Sequence, residues 1–353
     1  MTGATPAVRS GTVALDEAVL LERATAAAAA RWPGARVGGL EVLHGGVSSL
    51  TFAATLSGVP AERAGTVVVK VAPPGLAPVR NRDVLRQARL LRALDGVDDV
   101  RVPEVLVEDA ELPPFFIMSF VAGDAYEPLK DADEHPPTPA VVDGRARAAA
   151  RMLAALQRTD PAAIGLADEP VVGPRDELER WAALFATVPD ELHHGHTELL
   201  EALRAGVPEP LPARVLHGDY RIGNMQFAGT RLAAIIDWEI WSVGDPRSDL
   251  AWLLVWSDPV QKFHHRRDAA NTAAGAGMPD AAALLEEYRA INPIALPDMA
   301  WFAACCRYKM AATTAVLVKQ SRRRPEPDPR LEVAATTLPA IIARGLRDLH
   351  AAS

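Results

Sequence analysis

Hydrophobic positions along this chain follow two rhythms, and the change between them divides it. From Val37 to Val121 the apolar residues come in short, β-rich runs: Val37 to Leu43, Leu50 to Leu56, Thr66 to Val71, Val105 to Val107 and Phe115 to Val121. Two helical patterns accompany them. Leu15 to Arg31 carries Leu15, Val19 and Leu20 on one side and stops at Trp32-Pro33-Gly34; Arg82 to Leu94 carries Val84, Ala88, Leu91 and Leu94 as a stripe. After Ala122-Gly123-Asp124 the rhythm is helical, over Val141 to Arg158, Arg175 to Thr187, Asp190 to Ala205, Ser248 to Trp256, Ala281 to Ala290, Ala300 to Gln320 and Leu338 to Leu349, with proline-rich breaks at 135–139, 170–174 and 208–212. Residues 1–11 read as a frayed tail and Pro259 to Met278 as a mobile polar segment. The expectation is an α+β chain of two lobes: a sheet lobe with its helix over 1–118, a linker at 119–123, and a larger helical lobe over 124–353.

One strand-like island interrupts the helical part. Arg214-Val215-Leu216 delivers His217-Gly218-Asp219 into a loop; Met225 to Phe227, a turn at Ala228-Gly229-Thr230, and Leu232 to Ile236 then read as a hairpin. Asn224 enters that hairpin and Asp237 leaves it, so the two should lie side by side. A hydroxyl attacking a γ-phosphate needs an acceptor for its proton, and a triphosphate needs hard oxygen ligands on its metal. Asp219, Asn224 five residues on and Asp237 thirteen further stand in the order in which protein kinases place their base and their magnesium ligands. Singly, each is equally well a turn or capping residue; together, at the edge of an apolar strand, they point to a site.

Two upstream features fit the same chemistry. A Gly-rich turn over Leu43 to Ser49 could bring the backbone of Gly45 and Gly46 and the hydroxyls of Ser48 and Ser49 against phosphate, although Gly-Gly turns between strands are common. Lys70 sits inside Val67-Val68-Val69-Lys70-Val71, where a lysine is costly unless paired or able to snorkel from an edge strand. Gln87 falls on the buried stripe of its helix, either as a polar partner for Lys70 or as a tolerated boundary residue.

Composition narrows the field. The chain has 353 residues, 49% hydrophobic and 23% charged, and its net charge of −8 argues against general nucleic-acid binding. No apolar run approaches the ~20 residues of a membrane span, and the first residues lack the order of a signal peptide. The only cysteines, Cys305 and Cys306, are adjacent and form no disulfide framework. A reducing, cytoplasmic setting is expected. Acids outnumber bases between Asp124 and Pro212, which reads as solvated helix faces or as a funnel for a cationic substrate. His193, His194 and His196 lack a fourth metal ligand at suitable spacing.

His217-Gly218-Asp219…Asn224, Ile236-Asp237-Trp238-Glu239 and Gly244-Asp245-Pro246…Asp249-Leu250-Ala251 resemble the aminoglycoside phosphotransferase superfamily, small-molecule kinases with a protein-kinase-like fold. The resemblance extends upstream through Leu43 to Gly46, Lys70 and Ile117 to Gly123, covering most of the chain. It implies Asp219 as catalytic base, Asn224 and Asp237 as magnesium ligands, Lys70 on the α- and β-phosphates, the backbone of Ser119 and Val121 on the adenine edge, and His217 and Asp249 as braces of the loop. It implies ATP as cofactor, with GTP left open, magnesium, and a small hydroxyl-bearing acceptor: a hydroxyacyl compound, a sugar or an aminoglycoside. Gln87 departs from the pattern, standing where a glutamate pairs with the lysine, and supports the alternative of a nucleotide-binding pseudokinase. A metal-dependent hydrolase ranks last, since it leaves Lys70 without a role. Trp301 to Gln320 resembles the branch fused elsewhere to acyl-CoA dehydrogenases, whose anionic substrates would suit Arg307, Lys309 and Arg322 to Arg324 better than an acidic funnel would.

Overall fold

The structure, a computed structural model, describes residues 15–43, 49–128, 136–258 and 275–350. Residues 44–48, which hold Gly45, Gly46 and Ser48, and most of the polar segment after Pro259 lie outside it. The chain forms two compact units. One comprises the residues up to Gly96, Val102–Val121 and Asp237–Ile240; the other comprises Val97–Arg101, Ala122–Ile236 and the residues from Trp241 onward.

The first unit is built on a five-stranded antiparallel sheet in the order β1(Arg36–Val42), β2(Leu50–Ser57), β3(Gly65–Val71), β5(Phe115–Ser119), β4(Val105–Asp109). Asp16 caps α1(Glu17–Arg31) by accepting from the N–H groups of Ala18 and Val19. The buried side of α1 is Leu20, Ala24 and Ala28; two alanines let the helix approach closely a sheet face that includes Val37, Phe52, Val67, Val69, Val71 and Phe115. Because strand side chains alternate, Val68 and Lys70 of the central β3 point to the opposite face. There α2(Val84–Leu94) packs against β4 and β5. This helix starts two residues later than its apolar stripe suggests, because Asp83 turns its carboxylate onto the Arg86 N–H.

The second unit contains α3(Pro139–Arg158), β6(Val171–Val172), α4(Pro174–Phe185), α5(His196–Ala205), β7(Arg214–Leu216), β8(Met225–Ala228), β9(Arg231–Ile235), β10(Ser242–Gly244), α6(Arg247–Ser257), α7(Ala281–Ile291), α8(Met299–Ser321), α9(Pro329–Ala335) and α10(Leu338–His350). α8 is its axis: α4, α5, α6, α9 and α10 all pack on it, so its residues are buried nearly all round, Arg307 and Lys309 included. The helix expected over Asp190 to Ala205 is instead a 3-10 turn, Asp190–Leu192, followed by α5. The break falls at His194 and Gly195, both in the left-handed region at φ 45° and 78°. β6, β10 and α9 were not anticipated; β6 and β10 are two and three residues long and exist only by pairing, β10 with both β6 and β7. Among the described residues no helix is long and apolar enough to cross a membrane.

Candidate functional site

β7 ends in a loop whose backbone is fixed from below by one carboxylate. Asp249, in the first turn of α6 and only 2% exposed, accepts the N–H of His217 at 2.5 Å on one oxygen and that of Gly218 at 3.0 Å on the other. Burial pushes the Asp249 carboxyl up from its ordinary range, against the opposing pull of the two peptide N–H groups and of Lys309. Gly218 supplies the positive φ of 84° that turns the chain. The imidazole of His217 completes the brace. Its Nδ1 accepts the Asp219 N–H at 3.1 Å, so the ring proton lies on Nε2, which donates to the Ile236 carbonyl at 2.8 Å.

The loop presents Asp219 with its side chain 26% exposed. Oδ1 accepts from Trp252 Nε1 at 2.8 Å; Oδ2 accepts from Arg221 Nε at 3.1 Å and Asn224 Nδ2 at 2.8 Å. Burial raises the Asp219 carboxyl, but Arg221, Lys309 and the Trp252 N–H outweigh it and hold the group below the usual carboxylate range. Asn224 is 5% exposed, and its Nδ2 also donates to the Asp219 carbonyl at 2.8 Å. Its backbone carbonyl accepts from Ile236 at 2.9 Å, so the hairpin β8–β9 brings its two ends together with Asp237 next in sequence. At Gly223 an added Cβ would meet Arg221 Nη1 at 2.4 Å and Glu127 Cβ at 3.1 Å, so a larger residue cannot enter without displacing them. The buried Glu127 accepts the Gly223 N–H at 3.0 Å and contacts Arg221 at 3.5 Å.

In the first unit, Lys70 is 6% exposed and its Nζ lies 3.4 Å from Oδ1 of Asp237. Asp237 is a non-glycine residue at φ 65°, a backbone cost tolerated where the surroundings enforce it. Gln87 does not pair with Lys70 as anticipated: its Nε2 donates to the Asn81 carbonyl at 3.4 Å, and the lysine's carboxylate partner is Asp237. Ser49 is 5% exposed, and its hydroxyl oxygen is buried without a hydrogen-bond partner. Ser119 donates its N–H to the Glu104 carbonyl at 2.8 Å and accepts the Glu104 N–H on its hydroxyl at 2.9 Å, so its own N–H is already committed. Val121 ends this segment of the unit.

Other expectations are reassigned. Arg307 bonds to Asp348 at 2.5 Å and Asp258 at 3.5 Å, and Lys309 is buried, so these two are not displayed for an anionic acceptor; Arg322 is exposed but paired with Glu332 at 2.9 Å. Within the acidic stretch, Asp143 and Glu179 are paired to Arg147 and Arg204, at 3.0 and 2.6 Å. His193 contacts the Val188 carbonyl, and His196 stacks on Phe185 at 4.2 Å with Nδ1 3.2 Å from the Tyr308 hydroxyl; their rings serve packing. Sequence reasoning overlooked Arg221, Trp252, Glu127 and Lys309 as members of the loop. Trp252 was within reach, lying three residues after Asp249 and so on the same helix face. Glu127 and Lys309 are remote in sequence and carry no local signal.

A family model described as "Phosphotransferase enzyme family" matches residues 39–297. Among curated proteins, the probable acyl-CoA dehydrogenase IBR3 of Arabidopsis thaliana is 28% identical over 253 residues, 66% of this chain and 30% of that protein. Viomycin phosphotransferase of Streptomyces vinaceus is 30% identical over 185 residues, 47% of this chain and 60% of that protein. The matches thus span less than two thirds of either relative. Among solved structures, a putative aminoglycoside phosphotransferase from Ralstonia eutropha superposes with a TM-score of 0.70 at 22% identity, covering 90% of this chain and 94% of that one. A thermostable mutant of aminoglycoside phosphotransferase APH(4)-Ia, in ternary complex with ADP and hygromycin B, does so with a TM-score of 0.58 at 16% identity, covering 94% and 98%. The fold is therefore the α+β, protein-kinase-like fold of these enzymes.

Proposed function

Because the chain belongs to the phosphotransferase enzyme family, we propose that it transfers the γ-phosphate of ATP, in the presence of magnesium, to a hydroxyl of a small molecule. The observation that carries this reading is Asp219: a carboxylate held ionised, a quarter exposed, its backbone braced by His217 and its side chain by Asn224 and Trp252. Asp219 accepts the hydrogen bond of the incoming hydroxyl, fixes the line of attack and takes the proton. With three donors already on it, Asp219 is a weak base, so the proton moves late and positioning supplies most of the rate.

Taken one by one, the proposed ligands carry the donor atoms a magnesium nucleotide would need. The Asn224 amide nitrogen is spent on Asp219, which leaves its carbonyl oxygen as a ligand atom; Asp237 offers a carboxylate 36% exposed. Both are the hard oxygen donors that magnesium takes. When bound, the metal neutralises charge on the β- and γ-phosphates. Lys70 would hold the α- and β-phosphates in place of its pairing with Asp237, and the unpartnered Ser49 hydroxyl could add a donor; Gly45, Gly46 and Ser48, outside the described residues, are proposed for the same role. The Ser119 carbonyl and the Val121 backbone hold the base, and GTP would enter only if that edge accepts guanine. We place the nucleotide lobe at 1–118, its linker at 119–123 and the acceptor lobe at 124–353.

The acceptor is a small hydroxyl-bearing molecule, a hydroxyacyl compound, sugar or aminoglycoside; the acyl-CoA dehydrogenase relative supports the first class and the neighbour bound to hygromycin B the last. The alternative, a module that binds nucleotide without transfer, rests on Gln87 alone, and membership in a family of phosphotransferases does not support it. A thermal-shift titration with ATP and GTP, each with and without magnesium, tests the site. Ligand at a hundredfold excess over its Kd stabilises by about 2.7 kcal/mol. The expected result is a magnesium-dependent shift, lost in Asp237→Ala, and phosphorylation of at least one acceptor of the three classes. Absence of any shift with either nucleotide overturns the proposal.

A further inference from the structure

Lys309 lies 90 residues beyond Asp219, near the middle of α8. A lysine 8% exposed on the axial helix of a hydrophobic core is expensive unless its ammonium is fully engaged. It is engaged on three sides. Nζ donates to the carbonyl of Gly218, and it lies over the indole rings of Trp252, 4.2 Å from the centroid, and Trp181, 5.2 Å from the centroid.

Those partners lead to one place. Gly218 and Asp219 share a peptide bond; Lys309 grips its carbonyl end, while Asp249 accepts the Gly218 N–H from the other side. Trp252, whose face carries the ammonium, uses its own Nε1–H to bind Asp219 Oδ1 at 2.8 Å. A single cation is thus tied to the backbone just before Asp219 and to the ring that holds the Asp219 side chain. Asp249 and Lys309 divide the work: one anion for the amides of the loop, one cation for its carbonyl and its tryptophan.

We infer that Lys309 is a positioning residue for Asp219, a cation set beneath the loop that fixes both the Gly218–Asp219 peptide and the Trp252 indole against which the carboxylate is aligned. Lys309 does not touch substrate and acts through Asp219. The inference rests on the proposed function only in calling Asp219 the reacting group; the geometry of the clamp is independent of it.

The test compares wild type with Lys309→Met, which keeps the length and apolar stem, and Lys309→Arg, which keeps the charge. The first readout is the Trp252 indole N–H in 15N-labelled protein, assigned through Trp252→Phe. In Lys309→Met this resonance is expected to move and its solvent exchange to quicken by about tenfold, while Lys309→Arg stays near wild type. The second readout is transfer from magnesium-ATP: kcat falls by about 10–100-fold in Lys309→Met with KM for ATP within about twofold, and Lys309→Arg restores most of it. In an Asp219→Asn background, Lys309→Met costs less than about twofold more, because the residue it positions is already disabled. A folded Lys309→Met protein with an unchanged Trp252 resonance overturns the inference, as does a fall in kcat equally large in the Asp219→Asn background. If wild type transfers no phosphate, the functional reading fails, while the indole readout still decides on the clamp.

Discussion

At the scale of the residue, Asp219 illustrates how a carboxylate can be fixed at the expense of its basicity. Three donors converge on its two oxygens, and each favours the charged form. Replacing it with asparagine keeps the shape but reverses the polarity of one end, which then faces those donors with an NH₂ group. Turnover is expected to fall by about 10²–10⁴-fold with nucleotide affinity unchanged within about threefold; single-turnover kinetics with titration calorimetry will show it, and a variant at wild-type rate removes Asp219 from the reaction. His196 gives a second residue-scale prediction. Burial, and secondarily His193, lower its pKa below the ordinary histidine value. The unfolded chain therefore binds a proton that the fold refuses, so stability is fully present above about pH 6.5 and is lost as pH falls toward the folded value. Melting curves at pH 7.5 and 5.5 should show a larger loss in wild type than in His196→Phe, where a ring still stacks on Phe185. Equal losses would show that His196 titrates alike in both states.

At the scale of the element, the loop after β7 is held by a helix it meets only in three dimensions. Removing Asp249 leaves the His217 and Gly218 N–H groups without their acceptor in a buried setting, at about 1–3 kcal/mol for each such group. Asp249→Ala is therefore expected to lower the denaturation midpoint and to expose the His217–Asp219 amides to exchange, while the sheet of the first unit keeps its protection; unchanged loop amides would refute the brace. The hairpin, β3 and the motif residues around Asp219 were legible because their signals are local: alternation over a few residues, a Gly-bearing turn, fixed spacing. The His194–Gly195 break was not, although Gly195 permits a left-handed backbone, because the helical spacing of apolar residues on either side outweighs one glycine. Nor were β6 and β10, whose strand character comes from neighbours rather than from their own residues. The pairing of Lys70 went to Asp237 rather than Gln87 because a carboxylate compensates a buried ammonium better than an amide does.

At the scale of the whole molecule, that ion pair joins residues 167 apart in sequence yet within one compact unit. Asp237→Ala should destabilise the protein by about 1 kcal/mol, a figure discounted for the 36% exposure of the aspartate, and Lys70→Met should recover part of that loss in the double variant. A chemical-denaturation cycle over the four proteins measures the coupling, and strict additivity would mean that the pair contributes nothing.

The membership of Asp237–Ile240 in the N-terminal unit also has a consequence on the ribosome. The sheet is complete once Ser119 has emerged, but the counter-ion of its buried lysine is more than a hundred residues further along. At cellular elongation rates that gap is on the order of ten seconds. For that interval the nascent sheet must keep Lys70 hydrated or hold a bare ammonium. Its last folding step therefore belongs late in synthesis, when the arrival of Asp237 closes the sheet's charge balance and supplies its share of the proposed nucleotide site at once.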